Sequence, residues 1–339
     1  MPPFTVQTVA THWESAPVVT AAVAVSAGLY LWGAWRVGRR HPARPWPWWR
    51  SALFLGGLAV VVIAIQSGIG AYDDVLFWDH MVQHLMLLMI APPMLVAGQP
   101  VTLLLHASRN PLHSWAKRAV RSRVVTFLTW PPFTVAFYTA TVAGTHLTNL
   151  AQLTHANQAL HNAEHVLYLF AGYLFFMAIL GKEPIRWRLS YPVRVLILAL
   201  SMPVDTFTGL LLGYEGRAYA LGVAGARPPG SPSPVEDVHW AGAVMWVGGD
   251  AIMFAFMMLV VWMWSRDTTT ASLSRGWLEA ARKSRFEELV ASQAADAGRL
   301  AGQSGPGRGG IDDDEHLAAY NAYLARLNAT RPASPGPEP

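Results

Sequence analysis

Long apolar runs, each about the length needed to cross a bilayer, dominate the hydropathy pattern of this chain. A hydrocarbon core of about 30 Å takes roughly 20 helical residues, and seven windows reach that length. They lie at Val18–Val37, Ser51–Gly70, His80–Ala97, Val124–Ala143, His161–Leu180, Val193–Gly213 and Trp240–Trp264. A spanning segment must satisfy its backbone hydrogen bonds internally, and these windows are too long and too apolar for strands. The pattern predicts an all-α integral membrane protein, a bundle of seven transmembrane helices.

The charges between the windows predict the orientation of the bundle. Lys and Arg follow the first, third and fifth windows, whereas the connections at 71–79 and 144–160 contain neither. Basic loops stay in the cytoplasm, so we expect the N-terminus outside and the C-terminus inside. No Lys or Arg precedes the first window, so we expect a retained span rather than a cleaved signal peptide.

The composition changes after the last window. Residues 1–265 are predicted to form the seven-helix transmembrane domain, and residues 266–339 a cytoplasmic tail. The tail has a helical pattern near 273–300 and again from IDDDEH, where acidic residues suit a helix N-terminus. It ends in RPASPGPEP, a composition typical of disorder.

Composition excludes several classes of function. Charged residues make up 14% of the chain, against about a quarter in soluble domains. The net charge of +4 comes from short loops between apolar runs, so it indicates topology and no nucleic-acid partner. Because cysteine is absent, disulfides, thiolate metal sites and cysteine catalysis are excluded. Soft-metal chemistry would have to use His and Met.

Two histidine pairs are the strongest candidates for a metal site. DHMVQHLMLL at the predicted outer end of the third window holds His80 and His84, with Gln83 beside them. HNAEHVLY at the start of the fifth holds His161, Glu164 and His165. Residues four apart share one face of a helix, and both pairs lie at one predicted depth. A four-ligand site is therefore possible, although a single His near a helix end more often has an interfacial hydrogen bond.

The metal is inferred from the donor types. Imidazole suits copper, zinc, iron and nickel, and thioethers favour Cu(I). The third and last windows are rich in methionine, although most of these residues suit gap filling in a core. We therefore expect copper, with Cu(I) favoured and zinc as the alternative.

Acidic residues inside the apolar windows form a second set of candidates. Asp205 lies well inside the sixth window, and EDVHWAGAVMWVGGD places Asp237, His239 and Asp250 along the last. Intramembrane acids are costly and mark functional sites or polar pairs between helices. His239 is a candidate ligand at the outer end, and the two deep acids could each instead hydrogen-bond a neighbouring helix.

Four segments together resemble the CtaG family of bacterial cytochrome c oxidase assembly factors. They are DHMVQHLMLLMIAPPMLVAGQP, NQALHNAEHVLYLFAGYLFF, PVDTFTGLLLG and DVHWAGAVMWVGGD, and the resemblance covers about residues 15–265. It implies a multi-pass protein of the bacterial plasma membrane that is needed for an active terminal oxidase, with copper delivery as the usual proposal. The matching positions are His80, Gln83, His84, His161, Glu164, His165, Asp205, Asp237, His239 and Asp250. His239 stands where many members have another polar residue, so it is a variant ligand candidate.

The residues and the resemblance leave several functions open. The first is a non-enzymatic assembly factor that binds copper at the outer face, with oxidase subunits and a copper chaperone outside the membrane as partners. A copper transporter using Asp205 and Asp250, and a metal-free scaffold, are alternatives. HNAEH also matches the H-x-x-E-H order of inverted zinc peptidases, but no third ligand follows it at a defined spacing. A b-type haem protein with axial His ligands is a further alternative.

Overall fold

The computed structural model is helical wherever it is described. It describes residues 2–148, 157–181, 183–214 and 227–267, with a few single residues beyond 267, and no strand occurs within them. The chain separates into two units, Met1–Arg266 and Asp267–Pro339. Nearly all of the second unit, with the predicted tail helices and disordered end, lies outside the described residues. The tail therefore stays a prediction.

Six stretches of helix are long and apolar enough to cross a membrane within the described part of the chain. They are Pro17–Arg40, Trp48–Tyr72, Phe77–Ala107, Gln158–Leu180, Tyr191–Gly213 and Pro234–Ser265. Each coincides with a predicted window, which confirms a multi-pass, all-helical membrane protein. We call Phe77–Ala107, Gln158–Leu180 and Pro234–Ser265 the third-span, fifth-span and last-span helices.

The individual α-helices follow one another with short connections. In chain order they are α1 (Val6–Thr11), α2 (Pro17–Arg40), α3 (Trp48–Gln66), α4 (Gly68–Tyr72), α5 (Phe77–Leu85), α6 (Ala91–Ala97), α7 (Pro100–Ala107), α8 (Leu112–Val120), α9 (Arg123–Leu128), α10 (Pro131–His146), α11 (Gln158–Leu180), α12 (Tyr191–Gly213), α13 (Pro234–Ala243) and α14 (Gly249–Ser265). Two π-helical turns, π1 (Met86–Ile90) and π2 (Val244–Gly248), join α5 to α6 and α13 to α14.

The fourth predicted window is divided in the structure. It forms α9 and the 16-residue α10 (Pro131–His146), separated at Thr129 and Trp130. A residue before proline avoids the α conformation, and Trp130 is extended, so a new helix starts at Pro131. The seventh span and the orientation of the termini therefore stay predictions.

The third-span and fifth-span helices form the centre of the bundle. In their most apolar windows 61% and 67% of the residues are buried, against 11% for the first span and 22% for the last. Tyr168 and Phe175 of the fifth-span helix pack with Leu87 and Met89 of the third-span helix in the main apolar core. Polar residues at the ends of these two helices are consequently brought into the interior.

A proline and a glycine allow these two central helices to approach closely. Pro92 has no N–H and cannot bond the carbonyl of Leu88 four residues earlier, and π1 lies at this point. Gly172 of the fifth-span helix packs there, where a Cβ atom would overlap the Leu88 carbonyl and approach the Pro92 ring to 2.7 Å. The π turn before Pro92 and the absence of a side chain at Gly172 therefore allow the two helices to pack closely at this point.

Acidic side chains from other segments cap two helix starts within the third-span helix. Asp237 accepts hydrogen bonds from the backbone N–H groups of Phe77 (3.1 Å) and Trp78 (3.0 Å). Glu183 accepts from the N–H groups of Val101 (3.2 Å) and Thr102 (3.0 Å). Helix starts leave N–H groups without intrahelical partners, so these acids tie the third-span helix to its neighbours. Burial raises the pKa of the Glu183 carboxyl.

Candidate metal centre

Two buried groups of histidine and acid lie side by side between the third-span and fifth-span helices. One group is Asp73, His161 and His165, and the other is His80, His84 and Glu164. In each group, one potential ligand atom per residue lies within 4.8 Å of the others. We call the six residues together the histidine cluster. Four of its members were predicted as two pairs on separate helices, and the structure brings these pairs into one cluster.

The first group joins the fifth-span helix to the connection that precedes the third. His161 Nε2 lies 3.3 Å from Asp73 Oδ2, and His161 Nδ1 lies 3.3 Å from Asp74 Oδ1. His165 Nε2 is 4.0 Å from the same Asp73 oxygen and 3.0 Å from His161 Nε2. Desolvation raises the pKa of the buried Asp73 carboxyl, although hydrogen bonding to His161 acts in the opposite direction.

The second group joins the third-span helix directly to the fifth-span helix. The rings of His80 and His84 have centroids 4.0 Å apart, which confirms that they share a helix face. His84 Nε2 is 3.9 Å from Glu164 Oε1, and its ring stacks on Tyr168 with a centroid distance of 4.0 Å. The His80 and His161 rings are 5.4 Å apart, so the two groups touch.

Gln83 connects the helices at the centre of the cluster. It is fully buried, and its amide nitrogen donates to Asp73 Oδ2 at 2.7 Å and to the Ala64 carbonyl at 2.9 Å. Its Oε1 lies 2.8 Å from His165 Nε2. One imidazole nitrogen carries at most one proton, yet this nitrogen faces both Gln83 Oε1 and His161 Nε2. A bound cation would satisfy the lone pairs that converge here.

The charge of the cluster also favours a cation. The two carboxyl groups of the cluster, on Asp73 and Glu164, are each 4% exposed. Buried charges in proteins are paired or coordinate metals. The donors are imidazole nitrogen and carboxylate oxygen, a set that suits a divalent ion such as Cu²⁺ or Zn²⁺.

The remaining predicted residues lie apart from the cluster. Asp205 accepts a hydrogen bond from the Tyr138 hydroxyl (3.1 Å to Oδ2), and Asp250 from Thr206 Oγ1 at 2.7 Å. Asp237 is the helix cap described above and also pairs with Arg227 at 3.0 Å. Asp205 and Asp250 therefore have the interhelical hydrogen bonds that the sequence left as an alternative.

His239 is not brought into the cluster. It is exposed on α13, whereas Asp237 and Val238 of the same turn are 1% exposed. Because Asp237 and Val238 pack toward the interior of the bundle, His239 lies on the opposite, exposed face of α13. No group of metal-ligating residues found within the described residues includes it.

Sequence reasoning missed Asp73 as a partner of the histidines. Asp73 lies outside the predicted windows, in the connection at 71–79, and has no periodic spacing to either histidine pair. Its only signal was an acidic residue next to the motif DHMVQH. His146 of α10 also contacts the cluster, with a ring distance of 5.5 Å to His84, and this contact depends on how α10 packs.

Comparison with known proteins identifies the family of the chain. The model of the cytochrome c oxidase caa3 assembly factor family matches residues 28–267, which is most of the chain. The chain belongs to this family. The resemblance seen in the sequence is thereby confirmed, and membership places the protein in the bacterial membrane. No solved structure matches the chain.

Curated mycobacterial proteins are also similar to the chain. Two uncharacterized proteins, from Mycobacterium bovis and Mycobacterium tuberculosis, are each 30% identical over 337 residues, or 97% of this chain. An uncharacterized protein from Mycobacterium leprae is 27% identical over 329 residues. The chain spans 46% of the length of the first two and 45% of the third. These relatives therefore contain a region that corresponds to this chain together with a comparable length of other sequence.

Proposed function

We propose that this protein is a cytochrome c oxidase assembly factor that binds copper at the histidine cluster, on the outer side of the membrane, and passes it to the oxidase. The observation that carries the proposal is the meeting of two histidine and acid groups between the central helices, with ligand atoms within 4.8 Å in each group. Family membership indicates that the protein receiving the copper is cytochrome c oxidase. Copper is the cargo in this role, and no catalytic step is required.

The cluster has chemistry suited to transient binding. Its groups contain imidazole and carboxylate donors from a short connection and two helices, and the adjacent Asp74 side chain is half exposed. A cavity of about 740 Å³, lined by Asp73, Asp74, His161 and His165 among others, opens beside the first group. An ion or a partner's metal-binding segment can therefore reach the cluster. The neighbouring carboxylates favour entry of a cation.

Copper stoichiometry of the purified full-length protein tests the binding step. We expect wild type to bind copper and the His161→Ala/His165→Ala variant to lose the ion of the first group. His41→Ala/His106→Ala is the matched control, because it removes two exposed histidines outside the cluster. Equal copper in both variants would overturn the proposed site.

A cellular measurement separates delivery from scaffolding and transport. Cells that carry the His161→Ala/His165→Ala variant should assemble oxidase that lacks copper, while cells with the control variant assemble loaded oxidase. Normal copper loading of the oxidase in cells with either variant would leave a metal-free scaffold as the remaining function. Copper uptake into proteoliposomes that contain the purified protein would instead indicate a transporter using the deeper acids.

A zinc hydrolase is a second candidate because Asp73 offers a potential third ligand for which the sequence gave no defined spacing. Asp73 joins His161 and His165, the two histidines of the H-x-x-E-H order, in one group. Glu164, however, contacts His84 of the second group. Zinc in the purified protein with peptide cleavage that depends on Glu164 would favour this candidate over copper delivery.

A further inference from the structure

A small cavity lined by buried side chains lies inside the bundle, next to the histidine cluster. Its volume is about 10 Å³, the space for one water molecule or one ion. Five stretches of helix contribute to its wall, and the side chains there include three methionines, two histidines and an acid. They are Met81, Met89, Met245, His84, His146 and Asp205.

Both π-helical turns place a methionine in this cavity. Met89 belongs to π1 and Met245 to π2, and the two side chains are 0% and 5% exposed. Single π turns inside α-helices occur frequently at functional sites, since they redirect the side chains of one turn. The third thioether, Met81, is 1% exposed and lies two turns before Met89. The three sulfur-containing side chains thus line one cavity.

His146 provides a nitrogen lone pair in the same wall. Its Nδ1 lies 2.9 Å from the Val142 carbonyl. A carbonyl can only accept, so this contact is a hydrogen bond in the tautomer that carries the ring proton on Nδ1. Nε2 of the neutral ring is then an acceptor. It is buried, and within the described chain no hydrogen-bond partner reaches it. Histidines that ligate metals usually donate their other ring N–H to a carbonyl or carboxylate in this way.

The charge next to the cavity suits a monovalent cation. The Asp205 side chain is 1% exposed, lines the cavity and is held by two contacts from the Tyr138 hydroxyl, at 3.1 and 3.2 Å. A single buried carboxylate balances one positive charge. Thioether and imidazole donors together select Cu(I) among the common metals.

We propose that this cavity is a second metal site, which binds one Cu(I) ion through His146 Nε2 and the sulfur atoms of Met81, Met89 and Met245. The site extends the copper-handling role proposed above, but none of its four ligands belongs to the histidine cluster. Its donors are sulfur-rich, whereas those of the cluster are nitrogen and oxygen. The two sites are therefore distinguishable by the atoms around the metal.

X-ray absorption of the full-length protein, loaded with Cu(I) in detergent under anaerobic reducing conditions, tests the inner site. We expect wild type to show sulfur scatterers around copper. Met89→Leu/Met245→Leu, which conserves side-chain volume, should bind one copper fewer and lose the sulfur signal. Met177→Leu/Met253→Leu is the control, because those methionines are 6% and 0% exposed but do not line the cavity. His146→Gln should weaken Cu(I) binding without changing copper held at the cluster.

The outcomes separate this site from the histidine cluster. Sulfur-coordinated copper that persists in His161→Ala/His165→Ala supports an independent inner site. If wild type binds a single copper, with three sulfur ligands and one nitrogen ligand, the inner site stands and copper binding at the cluster fails. If copper in wild type has nitrogen and oxygen ligands alone, or if the sulfur signal survives in Met89→Leu/Met245→Leu, the inner site is wrong.

Discussion

At the scale of single residues, Gln83 organises the candidate metal centre more than any ligand does. Its side chain contacts Asp73, His165 and the Ala64 carbonyl, at 2.7, 2.8 and 2.9 Å. An amide side chain has two N–H donors and a separate acceptor oxygen, so it can contact a carboxylate, a carbonyl and an imidazole at once. Gln83 therefore sets the position of the first group while adding no charge to it.

Replacement of Gln83 by Leu should damage both folding and metal binding. The change leaves a buried carboxylate, a carbonyl and an imidazole with fewer partners, at a cost of about 1–3 kcal/mol for each group left unsatisfied. Loss of a residue that orients metal ligands typically lowers metal affinity by about 10–100-fold. Thermal unfolding in detergent and copper titration would measure the two effects.

The control for this change is Gln158→Leu, at an exposed position near the start of the fifth-span helix. It removes the same amide without touching the three contacts, so stability and copper affinity should stay near wild type. Equal behaviour of Gln83→Leu and Gln158→Leu would contradict the organising role of Gln83.

At the scale of helices, the distance between the third-span and fifth-span helices depends on Gly172. A Cβ atom there would overlap the Leu88 carbonyl, which is backbone and cannot move away as a flexible side chain could. Both histidine pairs lie on these two helices, so their separation decides whether the ligand atoms converge. The packing of a glycine in the apolar core thus controls a polar site some turns away.

Gly172→Ala should therefore destabilise the protein and weaken metal binding together. Overpacking of this kind typically costs about 1–3 kcal/mol, and the wider helix separation should lower copper affinity although no ligand has changed. Gly144→Ala is the matched control, since a Cβ atom at Gly144 of α10 would meet nothing within 4 Å. Alanine is favoured over glycine in a helix by about 0.5–1 kcal/mol, so the control should be neutral or slightly stabilising. If Gly172→Ala binds copper with wild-type affinity, the metal site does not depend on the packing of Gly172.

At the scale of the whole molecule, the number of membrane crossings rests on α9 and α10. Within the described residues six helices are long enough to span, and the fourth predicted window is broken before Pro131. If this window crosses the membrane, the residues before and after it lie on opposite sides. Since these 339 residues include no cysteine, a single introduced cysteine can report on each side of the membrane.

Ser114→Cys and Gln158→Cys flank the fourth window at exposed positions. We expect a membrane-impermeant maleimide to label Gln158→Cys in intact cells and Ser114→Cys only after permeabilisation. This result would support seven spans and an outer histidine cluster. Labelling of both from the same side would mean that the fourth window does not cross, and labelling of Ser114→Cys alone would reverse the predicted orientation.

The sequence by itself determined the helical membrane class, six of the predicted spans and the two histidine pairs. Apolar length and i to i+4 spacing are local properties, and local periodicity is what a chain displays directly. It also contained the family resemblance, because the motifs of the third and fifth spans are contiguous. The break before Pro131 was visible as a proline pair, but its effect on the length of α10 was not anticipated.

Only the tertiary structure decided which polar residues meet. Asp73 joins His161 and His165 across 88 and 92 positions of sequence, Gln83 bridges three segments, and His239 stays outside although it resembles a ligand. The cavity with Met89, Met245 and His146 likewise depends on two π turns and on the packing of α10. Contacts between helices follow from the shapes of their packed faces, as at Gly172 and Leu88. Hydropathy along a chain shows which residues are apolar but not which helix faces pack together. The composition of the metal site therefore depends on the tertiary structure.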